Sequence, residues 1–296
     1  LVQKGDLVRD LRTVLRVSAQ PFDDVNLRST QGSADVVLRL DSDGLAGVAH
    51  DGNALKVERA KVGGFLRLLS TGDLLHETDA TVAASEYVSL AANGLIGTSD
   101  DPFKLELSAG TLVYLQGGRD ANVTQTGAPI TIEQAQIGGR LVFESDDALS
   151  IGRIDAIVSA DLKAGGSILD ASADDAEAPS RDIITNTLRI DTDGDFGTAD
   201  NRIEIDTTDG VLGKVGGGLA VLHFDIFALS GTLEVTETAD IQAVQSIQGL
   251  GGETLRAGGF VLESRQANIG AQQTPLDLDL TDGAGGTGTV VAKAVN

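Results

Sequence analysis

Residues 93–110 read NGLIGTSDDPFKLELSAG, and this short segment combines a glycine-containing turn, an acidic pair and an alternating strand. In the strand, charged residues alternate with Leu105 and Leu107, and successive side chains of a strand point to opposite faces. One face of the strand is therefore expected to be buried and the other solvated. A related segment, DFGTADNRIEID, occupies residues 195–206. The recurrence predicts that the segment is a unit of a repeated scaffold and not a catalytic site.

Five blocks of the chain share a short alternating strand, a small polar turn and a closing glycine, which is Gly47, Gly97, Gly152, Gly197 or Gly270. These glycines lie roughly 50 residues apart, with one longer interval, as in proteins built from internal repeats. After four of them a second strand follows at a nearly constant distance, and only the Gly152 block departs. The apolar residues of three of these second strands are expected to point inward in stacked positions: Leu105, Leu107, Ile203, Ile205, Leu276 and Leu278.

Glycine pairs precede most of the apolar strands, as in VGGFLRL at residues 62–68 and IGGRLVF at residues 137–143. We interpret these pairs as corners at which the chain adopts a positive φ before it re-enters a sheet. Ordinary hairpin turns are the alternative. The repetition favours corners of a solenoid.

The composition favours strands stacked at close, regular spacing. Trp, Met and Cys are absent and aromatic residues make up 3% of the 296 residues, so Val, Leu, Ile and Ala must build the core. Tandem β-sandwich domains would explain the likeness of the Gly97 and Gly197 blocks, but such domains are expected to carry aromatic core residues. We therefore predict an all-β fold, a right-handed parallel β-helix of irregular coils, with roughly 25 residues per coil and about a dozen coils.

Two parts of the chain are distinguished. We interpret residues 1–29 as an N-terminal coil or a junction to a preceding segment, and residues 30–296 as the β-helical rod. Residues 6–22 carry leucines at helical spacing, but the alternation within them slightly favours a strand. The acidic residues 170–182 are expected to form a loop that bulges between two coils. Because the chain opens at Leu1 without a Met or a signal-peptide pattern, we expect it to be a segment of a longer protein.

The net charge of −22 argues against binding of nucleic acid or an anionic bilayer through a cationic surface. The absence of cysteine excludes disulfides and thiolate metal sites, and is compatible with export. The longest apolar-leaning run, at residues 219–229, is interrupted by His223 and Asp225 and is too short to span a membrane. Cations and neutral surfaces are the partners that this charge favours.

The segments GLIGTSDDPFKLEL and DFGTADNRIEID, set among units such as VGGFLRLLSTGDL, resemble the β-helical repeats of filamentous-haemagglutinin-like and other large secreted bacterial adhesins. The resemblance covers residues 30–296 and concerns architecture, not a ligand. The Gly270 block lacks the acidic pair, and no secretion domain begins the chain. The resemblance implies a structural segment of an extracellular or cell-surface adhesin or filament. It also implies neighbouring segments of the same chain, or further copies, as partners.

Catalytic patterns are absent from the sequence. His50, His76 and His223 are far apart and show no metal-ligand spacing, so we interpret them as surface or strand-face residues. Acidic neighbours such as Asp100 and Asp101 point to opposite faces of a strand and are not expected to converge on one substrate atom. The sequence therefore predicts that the chain is not an enzyme.

A polysaccharide-binding or polysaccharide-cleaving β-helix is the alternative function, because a site assembled from distant coils leaves no linear motif. Exposed aromatic residues in a lateral groove would favour it. The chain has only Tyr87 and Tyr114, and no Trp, to stack on sugars. This composition disfavours the alternative, although surface glycans stay among the expected partners.

One segment has the chemistry of a metal site. In DTDGDFGTADN, at residues 191–201, carboxylates alternate with residues that let the backbone fold around an ion, as in the first half of a calcium loop. Phe196 and Arg202 stand where an EF-hand needs Gly and Glu, so a helix-flanked site is not expected. A solvated turn and a calcium-stabilised turn are equally compatible with the pattern. The candidate calcium ligands are Asp191, Asp193, Asp195 and Asp200.

Overall fold

The computed structural model describes residues 13–18, 25–29, 35–172, 181–223, 226–249, 253–270, 276–280 and 289–294. Its regular secondary structure consists of 24 strands. The strands are β1 Thr13–Ser18, β2 Val25–Ser29, β3 Asp35–Ser42, β4 Ala46–His50, β5 Ala54–Val62, β6 Phe65–Ser70, β7 Asp73–Ala84, β8 Tyr87–Ala92, β9 Phe103–Leu107, β10 Leu112–Gly117, β11 Ala121–Gly127, β12 Ile130–Ile137, β13 Arg140–Ser145, β14 Leu149–Ile151, β15 Ile154–Ala164, β16 Ile168–Asp170, β17 Ile183–Thr192, β18 Ile203–Val215, β19 Leu219–His223, β20 Ile226–Ala243, β21 Ser246–Gly249, β22 Thr254–Ser264, β23 Asp277–Leu280 and β24 Val290–Ala294.

These strands pair in parallel and stack as a β-solenoid of about 11 turns, which confirms the predicted β-helix. Each strand lies in register with its counterpart one coil away, so that Asp35 faces Ala54 and Ala54 faces Asp73. Most partners lie about 20 residues apart along the chain, so these coils are somewhat shorter than expected. Regular stacking is possible because each coil satisfies its backbone hydrogen bonds on the coils above and below it.

The core consists of inward-facing side chains stacked in columns between coils. The column Leu68, Leu90 and Leu115 is an example, with each member at most 2% exposed. Five of the largest fully buried side chains are phenylalanines, and the other buried hydrophobic side chains are aliphatic. The predicted inward residues of β9 and β18 are buried, as expected: Leu105, Leu107, Ile203 and Ile205.

Leu276 and Leu278 depart from this prediction because both are only half-buried. Leu278 lies in β23, which pairs with β22. In the part of the chain that the structure describes, no further strand pairs with β23, so its side chains lack the cover that an inner coil receives.

The turn of the opening segment recurs at three of the five glycines. Gly97, Gly197 and Gly270 have φ values of 62°, 69° and 70°, and each donates its N–H to a carbonyl oxygen one coil away. The other two blocks differ, because Gly47 lies inside β4 and Gly152 does not have a positive φ. The repeat therefore contains this turn in only some of its coils.

Most of the glycine pairs lie at corners, although Gly258 and Gly259 lie within β22, and the reason is not the predicted one, because none of the pair glycines has a positive φ. A Cβ at Gly63 would lie 2.3 Å from the carbonyl oxygen of Asp43, and one at Gly216 would lie 2.2 Å from that of Asp193. Real Cβ atoms do not approach an oxygen so closely. Glycine is therefore required here because the backbones of successive coils are in direct contact.

The chain comprises two compact units, Leu1–Glu144 and Ser145–Asn296. Strand β1 agrees with the preference for a strand in residues 6–22, although residues 6–12 and 19–22 lie outside the described part. Strands β1 and β2 pair with β3 and β4, and the separation of residues 1–29 from the rod stays a prediction. Most of the predicted loop, residues 173–180, also lies outside the described residues.

Candidate functional site

The four predicted calcium ligands lie in different parts of one coil. Asp191 is an exposed, outward residue of β17, in register with Lys163 on one neighbouring coil and Lys214 on the other. Opposite charges on adjacent strands attract each other. The structure thus accounts for Asp191 without an ion.

Asp195 has a structural role in the corner that follows β17. Its Oδ1 accepts a hydrogen bond of 2.7 Å from the backbone N–H of Gly218 in the next coil. The carboxylate of Asp193 is exposed, and Asp200 is exposed in the turn between Thr198 and Asn201. The carboxylates of the four aspartates do not come together in the described structure as three ligands within 4.8 Å of one another. Calcium binding at this segment stays a prediction.

The geometry brings together a different set of carboxylates, which we call the carboxylate cluster: Asp170, Asp182 and Glu204. One oxygen from each lies within 4.8 Å of the others, and the residues are 8%, 0% and 6% exposed. Among the described residues this is the one group of three or more potential ligands at such distances.

Backbone contacts between coils hold the carboxylate cluster. Asp182 Oδ2 accepts a 2.9 Å hydrogen bond from the N–H of Glu204, and the N–H of Asp182 donates to the carbonyl oxygen of Glu204, also at 2.9 Å. Asp170 Oδ1 accepts from the N–H of Ser172 at 2.8 Å and from its Oγ at 2.9 Å. The amide of Asn201 donates to the carbonyl oxygens of Asp170 and Ser172. The positions of the three carboxylates are therefore set by the stacking of the coils.

Three buried carboxylates so close together oppose ionisation of one another. Protons or a cation can compensate this repulsion, and hard oxygen ligands of this kind suit calcium or magnesium. The sequence pattern does not predict the cluster: residues 170–182 read as a loop, and the alternation of Glu204 with Ile203 and Ile205 predicts a solvated position for Glu204. Glu204 is instead buried, because coil stacking places it beside Asp182.

The three histidines lie on strands, in agreement with one of the two interpretations, but they are buried, so the other interpretation, as surface residues, is wrong. His50, His76 and His223 are 2%, 5% and 0% exposed. The ring of His76 meets Phe103 edge-on at 5.7 Å, and burial, together with Lys104, lowers the pKa of His76 below its ordinary value. His223 Nε2 lies 3.1 Å from the backbone N–H of Thr207 and 3.0 Å from its Oγ1. These contacts place the histidines in the core.

An outward row of aromatic side chains crosses three coils of the first unit. We call it the aromatic face: Phe65 on β6, Tyr87 on β8 and Tyr114 on β10. The ring centroids of Phe65 and Tyr87 are 5.3 Å apart, and those of Tyr87 and Tyr114 are 4.7 Å apart. A shallow groove of about 140 Å³ lies beside the two tyrosines. Tyr87 and Tyr114 are 27 residues apart in the sequence, and no local pattern predicts that their rings meet.

No protein-family model, no curated protein and no solved structure matches this chain. The likeness to adhesin repeats therefore rests on the sequence motifs. None of the described residues forms a helix that is long and apolar enough to cross a membrane.

Proposed function

We propose that this chain is a structural repeat segment of a large extracellular bacterial adhesin or filament, and that it acts by display and assembly, not by turnover. The observation that carries the proposal is the recurrence of one turn in both units, at Gly97 in the first and at Gly197 in the second. A scaffold that repeats its turns with parallel, in-register strands can be extended by adding coils. Such a scaffold suits a stalk.

Neighbouring segments of the same chain, or further copies of it, are the proposed partners. The last described coil supports this proposal: Leu280, Val290 and Val291 are 40%, 49% and 50% exposed. A strand edge without a partner presents a row of N–H and carbonyl groups that another strand can pair with. Association of this kind would cover the exposed apolar residues.

Electron microscopy and light scattering at rising protein concentration test the assembly. The wild-type chain is expected to form end-to-end assemblies. The double variant Val290→Lys, Val291→Lys is expected to stay dispersed, because charge on an edge strand opposes pairing. Ile157→Lys is the matched control, since Ile157 is 66% exposed within β15, which pairs with β17, and its replacement leaves the terminal coil unchanged. A wild-type chain that stays single at every concentration contradicts the proposal.

A screen for polysaccharide hydrolysis tests the absence of turnover. The wild-type chain is expected to release no sugar. If it releases sugar from a polysaccharide and Asp182→Asn loses that activity, the chain is a polysaccharide-cleaving β-helix and the proposed structural role is wrong. Localisation of the full-length protein in its native cells tests display, and an intracellular location contradicts the proposal.

Calcium is proposed as a stabilising counter-ion at the segment containing Asp191, Asp193, Asp195 and Asp200. The net charge of −22 supports the proposal, because acidic coils repel one another unless cations screen them. Calcium is expected to raise the melting temperature more than magnesium does, by mass action on the folded state.

Variants locate the calcium effect. If the segment binds calcium, the double variant Asp193→Ala, Asp195→Ala abolishes the calcium-dependent shift of the melting temperature, and Asp182→Asn leaves it intact. The reverse result assigns the shift to the carboxylate cluster and removes the metal role of Asp193 and Asp195. An equal shift in all variants shows general screening of charge.

A further inference from the structure

The groove beside the aromatic face has a composition unlike that of the chain as a whole. Its lining contains Arg67 as the one charged residue, in a chain with 44 acidic and 22 basic residues. Within the described part of the chain Arg67 forms no ion pair. The groove therefore presents an uncompensated positive charge on the surface of an acidic protein.

The shape of the groove follows from the register of the coils. Ser89 and Ala91 on β8 form its floor, because larger side chains occupy the same positions on the coils to either side. Ser89 lies between Arg67 and Tyr114, and Ala91 lies between Leu69 and Gln116. Two small residues in columns of larger ones leave a depression across three coils.

The volume of about 140 Å³ is smaller than the roughly 300–1,000 Å³ of pockets that enclose a small molecule. The groove is therefore suited to part of an extended ligand that lies across the surface. Its polar lining includes the amides of Gln116, Gln134 and Gln136, which are exposed. Each amide offers both donors and an acceptor, the combination that matches sugar hydroxyl groups.

The two tyrosines contribute apolar rings that carry polar hydroxyl groups to the lining of the groove. Tyr87 and Tyr114 are half-exposed, and partial burial, with contributions from Glu133 and Tyr87, raises the pKa of Tyr114. A tyrosine with its ordinary pKa of about 10 is already protonated at neutral pH, so the Tyr114 hydroxyl can donate a hydrogen bond. An aromatic ring with a hydroxyl group offers both apolar contact and hydrogen bonding, as binding of a sugar requires.

We propose that this groove binds a segment of a polysaccharide whose sugars carry carboxylate groups, with Arg67 receiving a carboxylate, the glutamines receiving hydroxyls and the tyrosines contacting the apolar side of a sugar ring. The proposal names a partner for the display role and in that sense rests on it, but binding by the dispersed chain is measurable whether or not the chain assembles.

An extended peptide fits the groove less well. Sheets usually capture such peptides on an unpaired strand edge, and β8 is paired on both edges, with β6 and β10.

Acidic residues outside the lining repel a carboxylated ligand and so limit its affinity for the groove. The acidic residue whose charge contributes to the raised pKa of Tyr114 is Glu133. Within the described lining itself, Arg67 is the one charged residue, so it is the group that attracts a carboxylate into the groove.

Intrinsic fluorescence reports directly on this site. The chain has two tyrosines and no tryptophan, and both tyrosines border the groove. Titration with an oligogalacturonate of six sugars is expected to change the tyrosine fluorescence saturably, with calorimetry as an independent measure of affinity. A neutral cellulose hexamer and an oligoglutamate peptide serve as comparison ligands, and both are expected to bind at least tenfold more weakly, the ratio that corresponds to one charge-assisted contact.

Four variants test the assignment of residues. Arg67→Gln is expected to weaken oligogalacturonate binding about tenfold, whereas Glu133→Gln is expected to strengthen it. Lys61→Gln removes an exposed cation outside the groove and is expected to have no effect. Ala91→Gln fills the groove with a side chain that two neighbouring coils carry at the same register position, at Gln116 and Gln136, so it is expected to fold normally and abolish binding.

Three results overturn the proposal. Equal weakening by Arg67→Gln and Lys61→Gln indicates non-specific attraction. Tighter binding of the neutral sugar or of the peptide removes the carboxylated glycan as the ligand. Unchanged binding in Ala91→Gln places the ligand elsewhere. Dispersed protein that binds the sugar through the groove upholds the inference even if assembly fails.

Discussion

At the scale of single residues, one device recurs at the corners of the solenoid. The Oδ1 atoms of Asp73, Asp120 and Asp195 each accept a hydrogen bond, at 2.7–2.9 Å, from a backbone N–H in the next coil. A glycine precedes each donor, and a Cβ at that glycine would lie 2.0–2.1 Å from the same oxygen. At these corners the carboxylate replaces the strand carbonyl that would otherwise accept the N–H.

Loss of this contact is expected to destabilise the fold. Asp195→Ala leaves the N–H of Gly218 without its acceptor, and we expect the free energy of unfolding to fall by about 1–2 kcal/mol. Asp195→Asn retains an acceptor oxygen and is expected to cost less. Urea denaturation in calcium-free buffer measures both, and there the exposed Asp193→Ala serves as the control, expected to change stability by less than about 0.5 kcal/mol. Equal effects of Asp193→Ala and Asp195→Ala contradict the structural role.

His76 gives the protein a dependence on pH. Burial and Lys104 lower its pKa in the folded state, whereas Asp101, Glu77 and the Ala80 backbone act in the opposite direction. The unfolded chain, with an ordinary histidine pKa of about 6.5, therefore binds the proton first as the pH falls. The contribution of His76 to stability is full above about pH 6.5 and is lost as the pH decreases below that value.

Urea denaturation between pH 5 and 7.5 measures this effect. In His76→Leu, the fall in stability below pH 6.5 is expected to be less steep by up to about 1.4 kcal/mol per pH unit, the limit for one proton. Leucine suits the site, because Leu38 and Val57 occupy the same column. Identical slopes for the wild type and the variant exclude His76 as the group that titrates.

At the scale of elements, glycine is required in the turns for two different reasons, a positive φ and a lack of space for a Cβ. Gly197 and Gly270 share a positive φ, but their surroundings differ. A Cβ at Gly197 would lie 2.3 Å from the carbonyl oxygen of Ala220, whereas among the described residues, which do not include 271–275, the nearest atom to a Cβ at Gly270 is 3.5 Å away. Within the described part of the chain, the same turn is thus tightly covered in one coil and less closely covered in another.

Substitution by alanine distinguishes the cost of the positive φ from the cost of the clash between coils. Gly270→Ala is expected to cost about 1–2 kcal/mol, the price of a left-handed conformation for a residue with a Cβ. Gly197→Ala carries that cost and a backbone clash in addition, so we expect a clearly larger loss of stability, measured by thermal or urea unfolding. Equal losses in the two variants contradict the close contact between coils at Gly197.

At the scale of the whole molecule, stability depends on contacts between neighbouring coils. Strand β8 is covered by β6 and β10, and its inward residues Val88 and Leu90 are fully buried. Strand β24 pairs with β22, and every residue of β24 is exposed. Repeat proteins of this kind have local stabilities that add along the stack, so coils with one neighbour are the weakest.

Hydrogen exchange should reveal this gradient. The amides of β23 and β24 are expected to exchange much faster than those of β8, because a strand in the last described coil opens without breaking a second layer of contacts. Mass spectrometry of peptides from the exchanged protein measures both regions. Equal protection of β24 and β8 indicates that a further contact covers the last described coil.

The local sequence pattern predicts the strands, their inward faces and the repeated turn, because the period-2 alternation around Leu105 and Ile203 and the glycines at positions 97 and 197 are local signals. Which side chains of different coils meet, whether buried or exposed, follows only from the tertiary structure. The proximity of Asp182 to Glu204 and that of Tyr87 to Tyr114 depend on the length of the intervening coil, which varies along the chain. A change of one residue in that length moves every outward side chain to a new neighbour, and no pattern within a single strand records it. The same local signals predict corners at the glycine pairs, but the reason that glycine is required there lies in the adjacent coil, where a backbone carbonyl leaves no room for a Cβ.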